Sequence, residues 1–317
     1  MTQKKILSAF AMANRIPTTK GWKHVGELTL NDYVFDINGK PTRIKRLVQH
    51  NVLAMRIRLA DGREYTCSEY AELPGNMVTH EAMKYLQVYR DRGKLPQSFH
   101  KPANGPAIYP HKPVPIEPYL VGLLASKNTV VTQDYILAPG VIRESASTLN
   151  TGHVMDERAL VIPFERNRQA IAKLKEIYHG GLDYMTKYIA DEYMTNDIPT
   201  RMDLLAGIID IAGRPLVGCC KLRNLSSSMR MDVRTLANSL GIMVVETGAD
   251  ELKLFSNKLP SRRSCYQTKI ENIQPSEVAT HPIIRKIKCN GFAKSLKIEV
   301  YSDTPSILLE EYIPVLI

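Results

Sequence analysis

Two hydrophobic periods alternate along this chain. Met55, Ile57 and Leu59 interleave with Arg56 and Arg58, a period of two that predicts a strand with one buried and one charged face, ended by Asp61-Gly62. Val34 to Ile37 reads as a shorter strand closed by an Asn38-Gly39 hairpin turn, with Lys40-Pro41 behind it. Near the other end, Ile283-Ile284-Arg285-Lys286-Ile287 and Leu296-Lys297-Ile298-Glu299-Val300 alternate in the same way. Between these strand-rich ends the period lengthens. Residues 205–213 (LAGIIDIAG) set apolar positions and glycine at helical spacing, and 120–128 (LVGLLASKN) repeat the pattern with Gly122 where the other has Gly207. Glycine lets two such helices pack closely, because no Cβ holds the backbones apart. Residues 167–177 and 231–241 read as further helices, the latter stopped by Gly241. The proline-dense stretch 97–117 reads as an extended connection between domains. The pattern predicts an α+β protein with β-rich ends around a helical insertion.

Composition narrows the classes. At 317 residues with 44% hydrophobic content, the chain is long for one core and apolar enough to bury more than one. It has no run of eighteen apolar residues and no leader-like N-terminus, so neither a membrane span nor a signal peptide is expected, and the protein is placed in the cytoplasm or a particle made there. The five cysteines (Cys67, Cys219, Cys220, Cys265, Cys289) show no repeated pairing, which argues against a disulfide framework or a zinc site, and the scattered histidines suggest no metal. Cys219 and Cys220 read as small residues of a buried strand. The net charge of +10 is uneven: residues 1–117 hold 18 Lys+Arg against 10 Asp+Glu, 118–265 hold 18 against 16, and 266–317 hold 6 against 6. Any surface for an acidic partner is therefore expected on the N-terminal module.

Motif order adds a resemblance. Ile16-Pro17-Thr18, Gly21-Trp22, Gly26-Glu27-Leu28, Asp32-Tyr33-Val34-Phe35 and Asn38-Gly39-Lys40-Pro41 follow in an order that resembles the N-terminal part of a Hint domain, the self-splicing fold of inteins. The closing Glu311-Tyr312-Ile313-Pro314-Val315-Leu316-Ile317 resembles that family's last segment. The two glycine-bearing stretches, about 85 residues apart, resemble the paired motifs of a LAGLIDADG homing endonuclease. The resemblance implies an all-β, horseshoe-shaped Hint domain formed by both chain ends (1–110 and 266–317) with an inserted pseudo-two-fold α/β LAGLIDADG domain (111–265).

It also implies which groups should do chemistry, and they are absent. Splicing needs a nucleophile at the first position, a histidine four residues beyond the Cys67 position, and a terminal His-Asn; here these are Ala9, Ala71, Leu316 and Ile317. The endonuclease needs a carboxylate at the eighth position of each motif to hold divalent metal, and here stand Lys127 and Ala212. Asp210, at the sixth position, is expected in helix-end packing. A live nuclease would have to draw Mg²⁺ ligands from Asp210, Asp134 and Glu144, so no cofactor is expected unless that activity survives. Few residues precede the first position and none follow the last, so nothing is expected to be spliced.

The expected function is that of a splicing-dead and cleavage-dead intein-derived protein recruited as a structural or interaction subunit, of a phage particle or another large assembly, since inteins of this type are common in phage genes. A protein partner is favoured over DNA, with DNA binding or residual nuclease activity as the alternatives, and no membrane is involved. Arg43, Lys45, Arg56 and Arg58, read as lying on two neighbouring strands, form the expected basic patch.

Overall fold

The computed structural model describes residues 8–73, 77–89, 104–126, 129–131, 135–139, 154–156, 159–163, 172, 188–247, 251–272, 284–302 and 306–317. The chain divides into two compact units, one made of 1–109 with 277–317, the other of 110–276.

In the first unit an antiparallel sheet of seven strands runs in the order Ile284–Val300, Phe10–Ala11, Glu64–Ser68, Pro41–Leu59, Tyr33–Phe35, Arg15–Thr18, Gly21–His24. The strand 284–300 pairs with both 10–11 and 41–59, so part of the sheet closes on itself. Met55, Ile57 and Leu59 are buried while Arg56 and Arg58 are exposed, as the alternation requires. They pack with Phe10, Ile16, Val34, Ile44, Ile284 and Ile298 in one apolar core. Residues read as separate strands between 41 and 59 are in fact one strand of 19 residues. From Ile44 to Leu59 it pairs with 284–300, interrupted by one-residue register shifts between Ile284 and Lys286, Cys289 and Phe292, and Glu299 and Val300.

Gly39 and Gly62 turn the chain with φ of 78° and 92°, both in the left-handed region that favours glycine. Asp36 accepts from the amides of Asn38 and Lys40, each at 2.9 Å, which closes the first turn. Gly39 is constrained a second time: a Cβ there would stand 2.0 Å from the carbonyl oxygen of Pro106. Residues 104–109 are thus no free linker. The amide of Ile108 donates to the Gly39 carbonyl at 2.7 Å, and Ala107 and Tyr109 are buried with Phe35, Leu308 and Tyr312. The strands Ser306–Leu309 and Ile313–Leu316 form a hairpin whose turn residues Glu310, Glu311 and Tyr312 all have positive φ. This turn is held by Glu310 N–H to the Arg15 carbonyl (2.8 Å) and by the Arg63 guanidinium to the Glu311 carbonyl (3.0 Å). Arg63 is itself buried against Asp61 at 2.8 Å.

The second unit contains two helices that each lead into a four-stranded antiparallel sheet. Pro118–Leu123 precedes the sheet of Val154–Asp156, Ala159–Pro163, Tyr135–Pro139 and Val130–Val131; Ile198–Ala212 precedes that of Gly213–Leu216, Cys219–Leu222, Leu252–Phe255 and Met243–Glu246. The second helix starts on an Asp197 cap that accepts from the Thr200 amide at 3.0 Å. The first is shorter than its motif suggests and ends at Leu123. The two cross glycine on glycine: a Cβ on Gly207 would lie 2.2 Å from the Tyr119 oxygen, and one on Gly122 would lie 2.2 Å from that of Leu204. The helix Ser227–Ser239 packs on the same core, and Gly241, with φ of 73°, follows its Leu240 cap. The residues read as a helix at 167–177 lie, except for 172, outside the described residues. No helix among the described residues is long and apolar enough to cross a membrane.

Candidate functional site

The strand Glu64–Ser68 ends in a tight turn that gathers two of the four expected splicing positions. Ser68 donates its amide to the Ala9 carbonyl (2.8 Å), its Oγ accepts from the Ala9 amide (3.3 Å), and its carbonyl accepts from Ala71 (3.1 Å). Ala9 and Ala71 are sealed at 0% and 2% exposure. The Ala71 carbonyl takes two donors from Thr79, its amide at 3.0 Å and its hydroxyl at 2.9 Å. Ile317 packs half-buried against the apolar cluster that contains Phe10, Cys67, Ala71 and Leu73, and Leu316 lies opposite Ser306 in the last hairpin. Of the four expected positions, Ala71 and Ile317 thus share one apolar cluster, while Ala9 is tied to the turn through Ser68. Hydroxyls stand nearby, on Ser8, Ser68 and Thr79, but each is buried and hydrogen-bonded to backbone.

In the second unit Ala212 is the last residue of its helix, and its carbonyl accepts from the Arg223 amide at 3.0 Å. Lys127, Asp134 and Glu144 lie outside the described residues. Asp210 is buried at the helix crossing and accepts from the Tyr119 hydroxyl (2.6 Å), the Ser261 hydroxyl (2.5 Å) and the Arg262 amide (2.9 Å). Burial raises its pKa, against the lowering effect of those donors. The Arg262 guanidinium lies 3.9 Å from the Tyr119 ring centroid and pairs with Glu117 (3.0 Å) and Asp203 (3.2 Å). Asp210 thus knits the two helices to the segment after the second sheet. Nothing in the local sequence pattern marked Ser261 and Arg262 as its partners. Among the described residues no three His, Cys, Asp or Glu side chains stand together as a metal site. Cys219 and Cys220 are free and buried on their strand, and burial pushes the Cys220 thiol up to about 12.

The basic patch needs correction. Arg43, Lys45, Arg56 and Arg58 share one strand, so at about 3.3 Å per residue Lys45 and Arg56 are separated by roughly 36 Å along it. They are two sites. The true neighbours of the second pair come from the far end of the chain, Lys288 opposite Arg56 and Lys286 opposite Arg58. On its other side Arg58 reaches Glu64 at 3.4 Å. A second cationic row crosses the sheet of the second unit, where Arg214, Lys221 and Lys253 stand opposite one another on three strands. Lys221 is neutralised in part by Glu251 at 3.2 Å.

No protein-family model and no curated protein matches the chain. Solved structures that resemble part of it include inteins. The gp41-1 intein is 23% identical over 23% of this chain and 60% of its own, with a TM-score of 0.22. The splicing domain of the Msm DnaB1 intein is 21% identical over 20% of this chain and 52% of its own (TM-score 0.20), and the MchDnaB-1 intein 22% over 20% and 51% (TM-score 0.20). The chain spans three-fifths of the length of these structures or less, and the likeness is one to intein splicing domains.

Proposed function

We propose that this chain is an intein-derived protein with a LAGLIDADG-type insertion in which neither splicing nor DNA cleavage survives, retained as an interaction subunit of a larger assembly such as a phage particle. The observation that carries the reading is the sealed turn at Ala9, Ser68 and Ala71. Its backbone groups are satisfied and alanine stands at both of the expected reacting positions, which supports a fold kept without its ancestral chemistry. The glycine crossing at Gly122 and Gly207, with a four-stranded sheet after each helix, supports the nature of the insertion. The partner surface is the face bearing Arg56, Arg58, Lys286 and Lys288. Like charges set directly opposite cost a sheet stability, and an acidic protein surface would relieve that cost.

Fusing a foreign protein to each end tests the first half: no ligated product is expected, and any product that depends on residue 9, 71 or 317 overturns it. Purifying the protein with its native partners tests the second. Arg56→Glu with Arg58→Glu should release a stoichiometric protein partner, and retention of that partner refutes the assigned surface.

A second reading, duplex DNA held by the insertion, is favoured by the Arg214, Lys221 and Lys253 row. If Arg214→Glu with Lys253→Glu abolishes sequence-specific DNA binding and Arg56→Glu with Arg58→Glu does not, this reading prevails.

A further inference from the structure

The other half of the divided patch has a different character. Leu30, Tyr33 and Tyr301 are open to solvent at 50%, 43% and 65%, all in the first unit. Tyr33 is the direct partner of Arg43 across the strands 33–35 and 41–59. On the opposite side of Arg43, beyond the Val300–Ile44 pair, the Tyr301 amide donates to the Arg43 carbonyl at 3.0 Å. Residues set opposite one another in antiparallel strands project to the same face, so Tyr33, Arg43 and Tyr301 make one row across the sheet. Ile44 is buried beneath it, which returns Lys45 to the open face. The Lys45 ammonium lies 5.9 Å from the Tyr301 ring centroid, and the Arg43 guanidinium donates to the Leu30 carbonyl at 3.4 Å.

Two open aromatic rings with a guanidinium between them suit a ligand in which flat rings alternate with negative charge. We infer that this row is a stacking platform for single-stranded nucleic acid, with bases on Tyr33 and Tyr301 and the phosphodiester backbone crossing Arg43 and Lys45. With neighbouring strands about 4.8 Å apart, the two tyrosines are roughly 10 Å apart, which leaves room for a phosphate between two separated bases. A duplex does not fit the same row, because its bases are stacked on one another and their faces are closed to a flat sheet. An acidic polypeptide would engage the two cations and leave both rings unused. Glu299, on the adjoining strand, is held first by Lys297 at 3.1 Å and is attracted in part by Lys45 as well, while Arg43 lies outside that group. This surface belongs to the first unit and lies at the other end of the strand from Arg56, so the inference stands apart from the protein-partner reading.

The test is fluorescence anisotropy of the full chain with a labelled oligothymidine of about 12 nucleotides, a length within the usual range for such platforms. A duplex of the same length and polyglutamate serve as competitors. Binding should weaken steeply with salt and be competed better by single strand than by duplex. Tyr33→Ala and Tyr301→Ala should each weaken it about tenfold, while Tyr33→Phe and Tyr301→Phe should leave it unchanged, because stacking needs the ring and not the hydroxyl. Arg43→Glu with Lys45→Glu should abolish it, whereas Arg56→Glu with Arg58→Glu and Arg214→Glu with Lys253→Glu should not. Both tyrosines are exposed, and a circular dichroism melt confirms that the variants fold. Independently, an oligonucleotide carrying 5-bromouridine should cross-link under ultraviolet light to Tyr33 or Tyr301. The inference fails if no oligonucleotide binds at low salt, if duplex or polyglutamate competes as well as single strand, if the alanine variants bind normally, or if the cross-links map elsewhere.

Discussion

Gly207→Ala isolates the contact on which the second unit depends. The added methyl carbon would stand 2.2 Å from the Tyr119 carbonyl oxygen, 2.8 Å from the Leu123 nitrogen and 2.9 Å from the Gly122 Cα. All three are backbone atoms, so no rotamer change relieves the overlap and the helices must move apart. Overpacking a core costs about 1–3 kcal/mol, and a contact this short on fixed atoms belongs at or beyond the upper end. Against this, alanine is favoured over glycine inside a helix by about 1 kcal/mol. The net expectation is a loss of about 2 kcal/mol or more. Gly122→Ala should behave alike, and because both methyls enter one gap, the double variant should lose less than the sum of the two. Urea unfolding, with amide exchange of residues 204–212 to locate the effect, measures it; the exposed Met231→Ala is the control for a substitution that touches no core. If Gly207→Ala proves neutral or stabilising, helix propensity has won and the two helices do not cross at glycine.

Three further outcomes follow from single groups. Burial, aided by the charge of Asp191, pushes the Asp232 carboxyl up to about 6 from an ordinary 3.8, so the folded state holds this proton more tightly than the unfolded one. Its stabilising effect is therefore complete below about pH 4 and is lost as pH rises to about 6, by at most about 3 kcal/mol at 1.36 kcal/mol per unit, and the difference between wild type and Asp232→Asn across that window in urea titrations should show this slope. Asp210→Asn turns a donor toward the Tyr119 hydroxyl, the Ser261 hydroxyl or the Arg262 amide, which all donate to the carboxylate, and should cost about 1–3 kcal/mol in thermal or chemical unfolding; an unchanged midpoint would show that the carboxylate is not held as described. Gly39→Ala, with its positive φ and its methyl 2.0 Å from the Pro106 oxygen, should release residues 104–109 and speed proteolysis there, and an unchanged cleavage pattern would argue against that packing.

What was legible in the sequence depended on whether a residue's surroundings are set locally. The faces of Met55 to Leu59 follow from a period of two, and the meeting of Gly122 with Gly207 follows from two glycines at matching positions of similar helices. The full length of the 41–59 strand was not legible. Around Gln49, His50 and Asn51 it runs against 294–296 with much of its surface open, and a ribbon without a fully buried face imposes no alternation. The same gap hid the cationic neighbours, because Lys286 and Lys288 come to Arg58 and Arg56 only when the far end of the chain closes the sheet. Asp210 could be read as a packed acid, but its donors arrive from Ser261 and Arg262 on a segment with no periodicity. The proposed loss and the proposed surfaces are therefore unequally visible. That Ala9 and Ala71 carry no heteroatom can be read from residue identity alone, whereas the Arg56 ladder and the Tyr33–Arg43–Tyr301 row exist only once strand register is known.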